Sequence, residues 1–162
     1  MRRMILRRSA GGFSLIELMA AAAILGLLAS IAVPFVEMTI KRQKEQALRT
    51  ALNDIREGID AYKKAGMEKR FDVPIDGSGY PPTLNDLVTG IKDKQNGNRP
   101  LYFLRRVPRD PFHPDSSVAA IDTWGLRSFS SSAKEPAPGA EVFDVYSKSD
   151  KTGLNGVAYR EW

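Results

Sequence analysis

Between Phe13 and Val36 the chain carries one ionisable side chain, Glu17, and from Leu18 to Val36 its only polar side chain is Ser30. A carboxylate inside lipid costs about 2.5–3.5 kcal/mol on insertion scales, so Glu17 is expected to meet a partner there or to snorkel from a helix end. Other reactive chemistry is scarce. Cysteine is absent, which excludes disulfides, thiolate metal sites and cysteine nucleophiles. The single histidine, His113, excludes multi-histidine metal sites and leaves one position for an imidazole base. It sits in a proline-bounded turn and reads as a surface residue. No glycine-rich phosphate loop, zinc spacing or nucleophile elbow is present. Arg99, Arg105, Arg106 and Arg109 lie close to Tyr102 and Phe103, an interleaving that can bind single-stranded nucleic acid. Asp110 and Asp115 stand beside them, so contact with another subunit or partner is the preferred reading and nucleic acid is not expected.

Charge points the same way. The chain has 162 residues, with 24 Lys+Arg against 19 Asp+Glu and a net charge of +5. Arg2, Arg3, Arg7 and Arg8 account for four of those charges, leaving a nearly neutral body rather than a basic folded face.

The basic tip followed by an apolar run directs the chain to a membrane. As a helix, residues 13–36 reach roughly 36 Å, enough for a hydrocarbon core of about 30 Å. Three readings compete. A signal anchor is weakly supported by charge, because Lys41, Arg42 and Lys44 make the far flank basic too. A secretory signal could be cut after Ala32, where Ser30 and Ala32 are small, but Glu17 is out of place in its apolar core. The third takes Gly12-Phe13-Ser14-Leu15-Ile16-Glu17-Leu18 as one unit.

That unit resembles the prepilin signature of type IV pilins and type II secretion pseudopilins. The resemblance implies a leader, residues 1–12, removed by prepilin peptidase after Gly12. It makes Phe13 the first mature residue and the site of N-methylation, and Glu17 the fifth. Pro34 falls where these families have a helix-bending proline. Cleavage would place an amine on Phe13, four residues from Glu17 and on the same helical face. The amine of one subunit could then neutralise Glu17 of a neighbour in a filament core.

The helix is expected to continue beyond the membrane, over 13–65 and about 80 Å, with Gly66 as its C-cap. Val36, Ile40, Ala47, Leu48, Ala51, Leu52, Ile55, Ile59 and Tyr62 recur at spacings of three and four. Lys41, Lys44, Glu45, Arg49, Asp54, Arg56, Glu57 and Lys63 fall on the other side and read as a solvated face. Pro34 lacks the N–H that would bond to Ser30 and should bend or open the helix. Gly26 and Ala20 to Ala23 provide small surfaces for close helix packing in lipid.

Residues 67–100 are rich in Gly, Pro, Asn and Asp and read as a connecting region. Within it a short helix is expected over 84–89, capped by Thr83 with Asp86 three residues on, ending at Gly90 and burying Leu84, Leu87 and Val88. Asn96-Gly97-Asn98 reads as a turn. Strand-like runs follow at 101–104, 124–130 and 142–147, with 156–162 a candidate fourth. Pro108, Pro111 and Pro114 keep 108–114 out of a central strand, and 133–139 is a loop. The expected fold class is α+β: a long N-terminal helix packed on a small antiparallel sheet. The parts are a leader (1–12), a membrane and filament-core helix (13–36), an amphipathic continuation (37–66) and a periplasmic head (67–162).

The head narrows the resemblance. Tyr80-Pro81-Pro82-Thr83, then Val107-Pro108-Arg109-Asp110-Pro111, then Trp124-Gly125, then Phe143-Asp144-Val145-Tyr146-Ser147 occur in an order similar to the major (G-type) pseudopilins of type II secretion. The absence of cysteine fits those heads better than pilus subunits tied by a disulfide. The chain departs from that pattern in an insertion over 113–123 and in the loop Lys148-Ser149-Asp150-Lys151-Thr152-Gly153. The family's loop there holds calcium, which takes six to eight oxygens, usually with more than one carboxylate. The resemblance makes Ser147, Asp150 and backbone carbonyls of the loop the candidate ligands here, with Asp144 weaker because it can face away. Lys148 and Lys151 oppose an ion. The alternative is a metal-free loop held by Asx turns from Asp150 and Asn155.

The resemblance therefore implies a non-enzymatic filament subunit of the bacterial inner membrane with a periplasmic head. Its partners would be copies of itself, prepilin peptidase, minor pseudopilins and an inner-membrane assembly platform with its ATPase. Two readings stay open beside it: a type IV pilus or DNA-uptake pilin, and a monomeric single-span protein with a periplasmic binding head.

Overall fold

A computed structural model describes residues 12–74 and 77–162, so the expected leader lies outside the described residues apart from Gly12. The chain divides into two units, Met1–Lys41 and Arg42–Trp162. Helix α1 (Leu15–Met67) supplies residues to both.

The helix begins two residues later than expected and ends two later. At its start the Ser14 carbonyl accepts from both Glu17 N and Leu18 N at 3.1 Å, so Ser14 is the last residue outside the helix. Pro34 lies inside α1, which continues through it. At the far end Gly66 is not the cap. Arg70 N donates to Ala65 O at 3.0 Å and Lys69 N to Gly66 O at 2.9 Å, the paired bonds of a Schellman closure. Lys69 takes the left-handed position, with φ 57°. Gly66 serves close packing instead: a Cβ there would stand 2.8 Å from Val73 Cγ2.

In the first unit the apolar side chains of α1 are uncovered. Leu15, Ile16, Leu18, Met19, Leu25 and Phe35 are all more than half exposed. By length and composition, this is the one helix among the described residues able to cross a membrane.

In the second unit the same helix is the spine of a core. Leu48, Ala51, Leu52, Ile55, Ile59, Tyr62 and Ala65 are buried against Phe71, Leu84, Leu87, Trp124, Val142, Val145 and Tyr159. Each fully buried Leu or Ile contributes about 1.5–3 kcal/mol relative to exposure. Val36, Ile40 and Ala47, placed by spacing on the apolar stripe, are exposed, because no element of their own unit covers them.

Helix α2 (Asp86–Thr89) is shorter than expected. Thr83 is not its N-cap residue: Asn85 holds that position without a side-chain bond. Thr83 instead donates its N–H and its hydroxyl to Asp86 Oδ2, both at 2.8 Å, which closes the preceding turn. Leu84 and Leu87 are buried, and Val88 is half-buried.

Among the described residues, two two-stranded antiparallel sheets form rather than one. Strand β1 (Ile91–Asp93) pairs with β2 (Arg99–Leu101) in the register Ile91 to Leu101. The expected run 101–104 thus contributes only its first residue. Pro100 is tolerated because β2 is an edge strand. The turn at 96–98 forms as expected, with Gly97 and Asn98 both at positive φ. Strand β3 (Trp124–Arg127) pairs with β4 (Asp144–Ser147), Trp124 opposite Ser147 and Gly125 opposite Tyr146. The candidate fourth strand does not form. Residues Tyr159–Glu161 make a 3-10 turn, and only an isolated Thr152–Ala158 bridge precedes it.

Candidate functional site

Gly12, Phe13 and Glu17 stand at the head of α1. Gly12 has open space where a Cβ would point, and Phe13 is 77% exposed. Glu17 lies in the first turn of α1, exposed, with apolar neighbours Ile16 and Leu18 also exposed. Among the described residues of its own unit, nothing covers this surface. Gly26 likewise has open space beside it, so a second helix can approach closely there. Ser30 Oγ returns to Gly26 O at 3.0 Å, so the polar group of the run is satisfied within the helix.

The second region of interest is the carboxy-terminal loop. Ser147, expected as a calcium ligand, is fully buried and donates to Asp110 Oδ2 at 2.6 Å. Asp144 does face away from the loop. Its Oδ1 accepts from Arg56 Nε at 2.8 Å and its Oδ2 from Arg127 Nη2 at 3.0 Å. Asp150 is exposed on the loop between Lys148 and Lys151. The three candidate ligands therefore do not converge, and among the described residues no group of three or more His, Asp or Glu side chains is placed to hold an ion. These three side chains do not make a calcium donor set by themselves.

What does converge on the loop was read in the sequence as solvated surface. Glu45 is buried, only 9% exposed, and its Oε1 accepts from Leu154 N at 2.8 Å and from the Tyr159 hydroxyl at 2.9 Å. Burial, and then the bond and charge of Glu45, raise the Tyr159 phenol well above its ordinary value of 10.0. Arg56 is half-buried and donates to Asp144 and, through Nη2, to Trp162 O at 2.8 Å. Of the two turn-forming bonds expected in the loop, that of Asn155 is present: its Oδ1 accepts from Val157 N at 3.1 Å. Spacing held a signal for Glu45, since positions 45, 48, 52, 55, 59 and 62 step by three and four along one face.

The motifs of the head are explained by packing. Trp124 Nε1 donates to Pro108 O at 2.8 Å, joining the proline turn to β3. A Cβ on Gly125 would stand 2.3 Å from the Tyr146 ring of the opposite strand, so this glycine is the seat of that ring. Asp110 is buried, accepts from Phe112 N at 2.8 Å and receives Ser147, which ties the turn to β4. Arg109, part of the arginine and aromatic cluster, is committed to the carbonyls of Asp115 and Val118 in the inserted segment. His113 sits half-buried in its turn beside Asp115. The Asp115 carboxyl is held below its ordinary 3.8, first by the Ser117 hydroxyl.

Residues 7–33 match the family model described as the prokaryotic N-terminal methylation motif. The chain is 32% identical over 138 residues to type II secretion system core protein G of Pseudomonas aeruginosa, covering 80% of this chain and 89% of that one. It is 31% identical over 112 residues to the protein of that name in Vibrio cholerae, covering 67% and 69%. The corresponding protein of Klebsiella michiganensis is 26% identical over 140 residues, covering 83% and 91%. No solved structure is a significant match. With the pilin-like arrangement of a long helix and small antiparallel sheets, these matches place the chain in the family of type II secretion system core protein G.

Proposed function

We propose that this chain is a structural subunit of a type II secretion pseudopilus, working mechanically rather than as an enzyme. It is made as a prepilin and cut by prepilin peptidase between Gly12 and Phe13. Phe13 is then N-methylated. Subunits add one by one from the inner membrane, on an assembly platform driven by its ATPase and with minor pseudopilins as partners. The growing periplasmic filament helps to push folded proteins through the outer membrane.

The observation that carries this reading is the uncovered apolar surface of α1 with Glu17 set into it. A lone span can hide such a surface in lipid, but a carboxylate there needs a partner. A copy of the same helix supplies both apolar cover and the amine of Phe13. The match over residues 7–33 and the core protein G relatives support the same reading.

Glu17→Ala tests it. The variant is expected to be cleaved and inserted normally but to lose cross-links between cysteines introduced on neighbouring helices, and to stop secretion. Wild-type cross-linking and secretion by the variant would end the charge-pairing role.

A further inference from the structure

The loop after Ser147 is where the family resemblance places calcium, and here each candidate side-chain oxygen is already engaged or isolated. The Asp144 carboxylate lies between the guanidinium groups of Arg56 and Arg127 and also accepts from Val145 N at 2.8 Å. A divalent cation at that carboxylate would face two fixed positive charges at hydrogen-bond range. Ser147 Oγ is fully buried, gives its proton to Asp110 and accepts from Ser149 N at 3.2 Å, so it is already held by protein partners. Asp150 stands by itself, and one carboxylate among lysines is a poor calcium site.

The segment 144–162 is restrained by protein groups at several points. Glu45 takes the Leu154 N–H and the Tyr159 hydroxyl. Arg56 donates to Asp144, to Val145 O at 3.3 Å and to Trp162 O. Arg49 lies 4.4 Å over the Trp162 ring. Lys148, which would repel an ion, donates to Asp122 O at 2.9 Å, in the inserted segment 113–123. Both departures from the family pattern, the lysine-bearing loop and the insertion, therefore meet in one contact.

We propose that the carboxy-terminal segment of this chain is held without calcium, with Glu45 and Arg56 of α1 and the Lys148 contact to the insertion doing the work of the cation. Residues Glu45 and Arg56 act here as positioning residues. They tie the loop to the helix, whereas a cation would tie it to itself. Head stability is then independent of calcium, and it depends on these two side chains equally with and without the ion.

The test uses the full chain in detergent, followed by tryptophan fluorescence, since Trp124 and Trp162 are its only tryptophans and both lie in the second unit. Melting is compared in millimolar calcium and in chelator. Superimposable curves are expected. An occupied site at about 100 times its dissociation constant would shift the midpoint on the order of ten degrees, and a shift of that size overturns the proposal. Arg56→Ala is expected to lower the midpoint by the same amount in both solutions and to open 148–158 to protease. Arg56→Lys keeps one donor and should fall between, which covers the case in which the alanine variant does not fold. An Arg56→Lys chain indistinguishable from wild type in both melting and proteolysis overturns the proposal. Asp150→Ala should change nothing, and a loss of stability confined to calcium-containing solution would also overturn it.

Discussion

The hydroxyl of Tyr159 donates to Oε1 of Glu45 across 2.9 Å, although 114 positions separate the two in sequence. The same oxygen takes the backbone N–H of Leu154. One buried carboxylate on α1 thus closes the last turn of the chain and orients the loop before it. The Tyr159 ring is stacked on Phe112 at 4.0 Å between centroids, so the bond is set within aromatic packing.

Removing the two partners should have unequal effects. Tyr159→Phe deletes one hydrogen bond and leaves Glu45 with Leu154, a loss of about 0.5–1.5 kcal/mol. Glu45→Ala strands both donors and should cost about 1–3 kcal/mol. Denaturant melts of the two single variants and the double variant give the coupling. Strictly additive losses would show that the two groups do not interact.

The pH dependence has opposite signs at the two extremes. Tyr159 is raised by folding, so the stability that it contributes is complete below pH 10.0 and declines above it, where the unfolded chain releases the proton first. Asp93 is buried and bonded by Arg70, and that bond holds its carboxyl below 3.8. Its contribution is complete above that value and is lost as the pH falls through the depressed one. Thermal melts should therefore weaken above pH 10 in wild type and less so in Tyr159→Phe. At low pH, Asp93→Asn should flatten the acid limb. An unchanged limb in either variant contradicts the assignment.

Lys69 pays a conformational penalty at the end of α1. A side chain in the left-handed region costs about 1–2 kcal/mol, part of which glycine returns as unfolded-state entropy. Lys69→Gly should stabilise the second unit by about 0.5–1 kcal/mol, and Lys69→Ala, which keeps the Cβ, should not. Midpoints from tryptophan fluorescence would separate the two. Equal midpoints would mean that the backbone closure is not strained.

The mature chain should begin at Phe13 with a methylated amine. Intact-mass measurement on membrane-extracted protein decides this. A start at Val33 would mean a secretory signal, and an unprocessed Met1 a plain anchor. Gly12→Val should block processing, and Gly12→Ala, still small, should be partly processed.

Much of this was legible because it rests on local pattern. The apolar run with Glu17, the spacing of three and four from Leu48 to Tyr62 and the alternation over 142–147 need only neighbours a few residues away to be recognised. They led to the long helix, to β3 and β4 and to the core stripe. The sites that tertiary structure decided depend on what stands across the fold. Ile91–Asp93 is a strand only because 99–101 lies beside it, and three polar-flanked residues carry no period of their own. Residues 156–162 have strand-like composition, but Tyr159 and Trp162 meet Glu45, Arg56 and Phe112, and Tyr159–Glu161 form a 3-10 turn instead. Glu45 and Arg56 show the limit most plainly. A charge on a helix reads as solvated until a distant segment brings the donors and acceptors that allow it to be buried, because a desolvated charge is tolerated only when paired. Those partners are more than eighty residues away in the chain, beyond any local spacing.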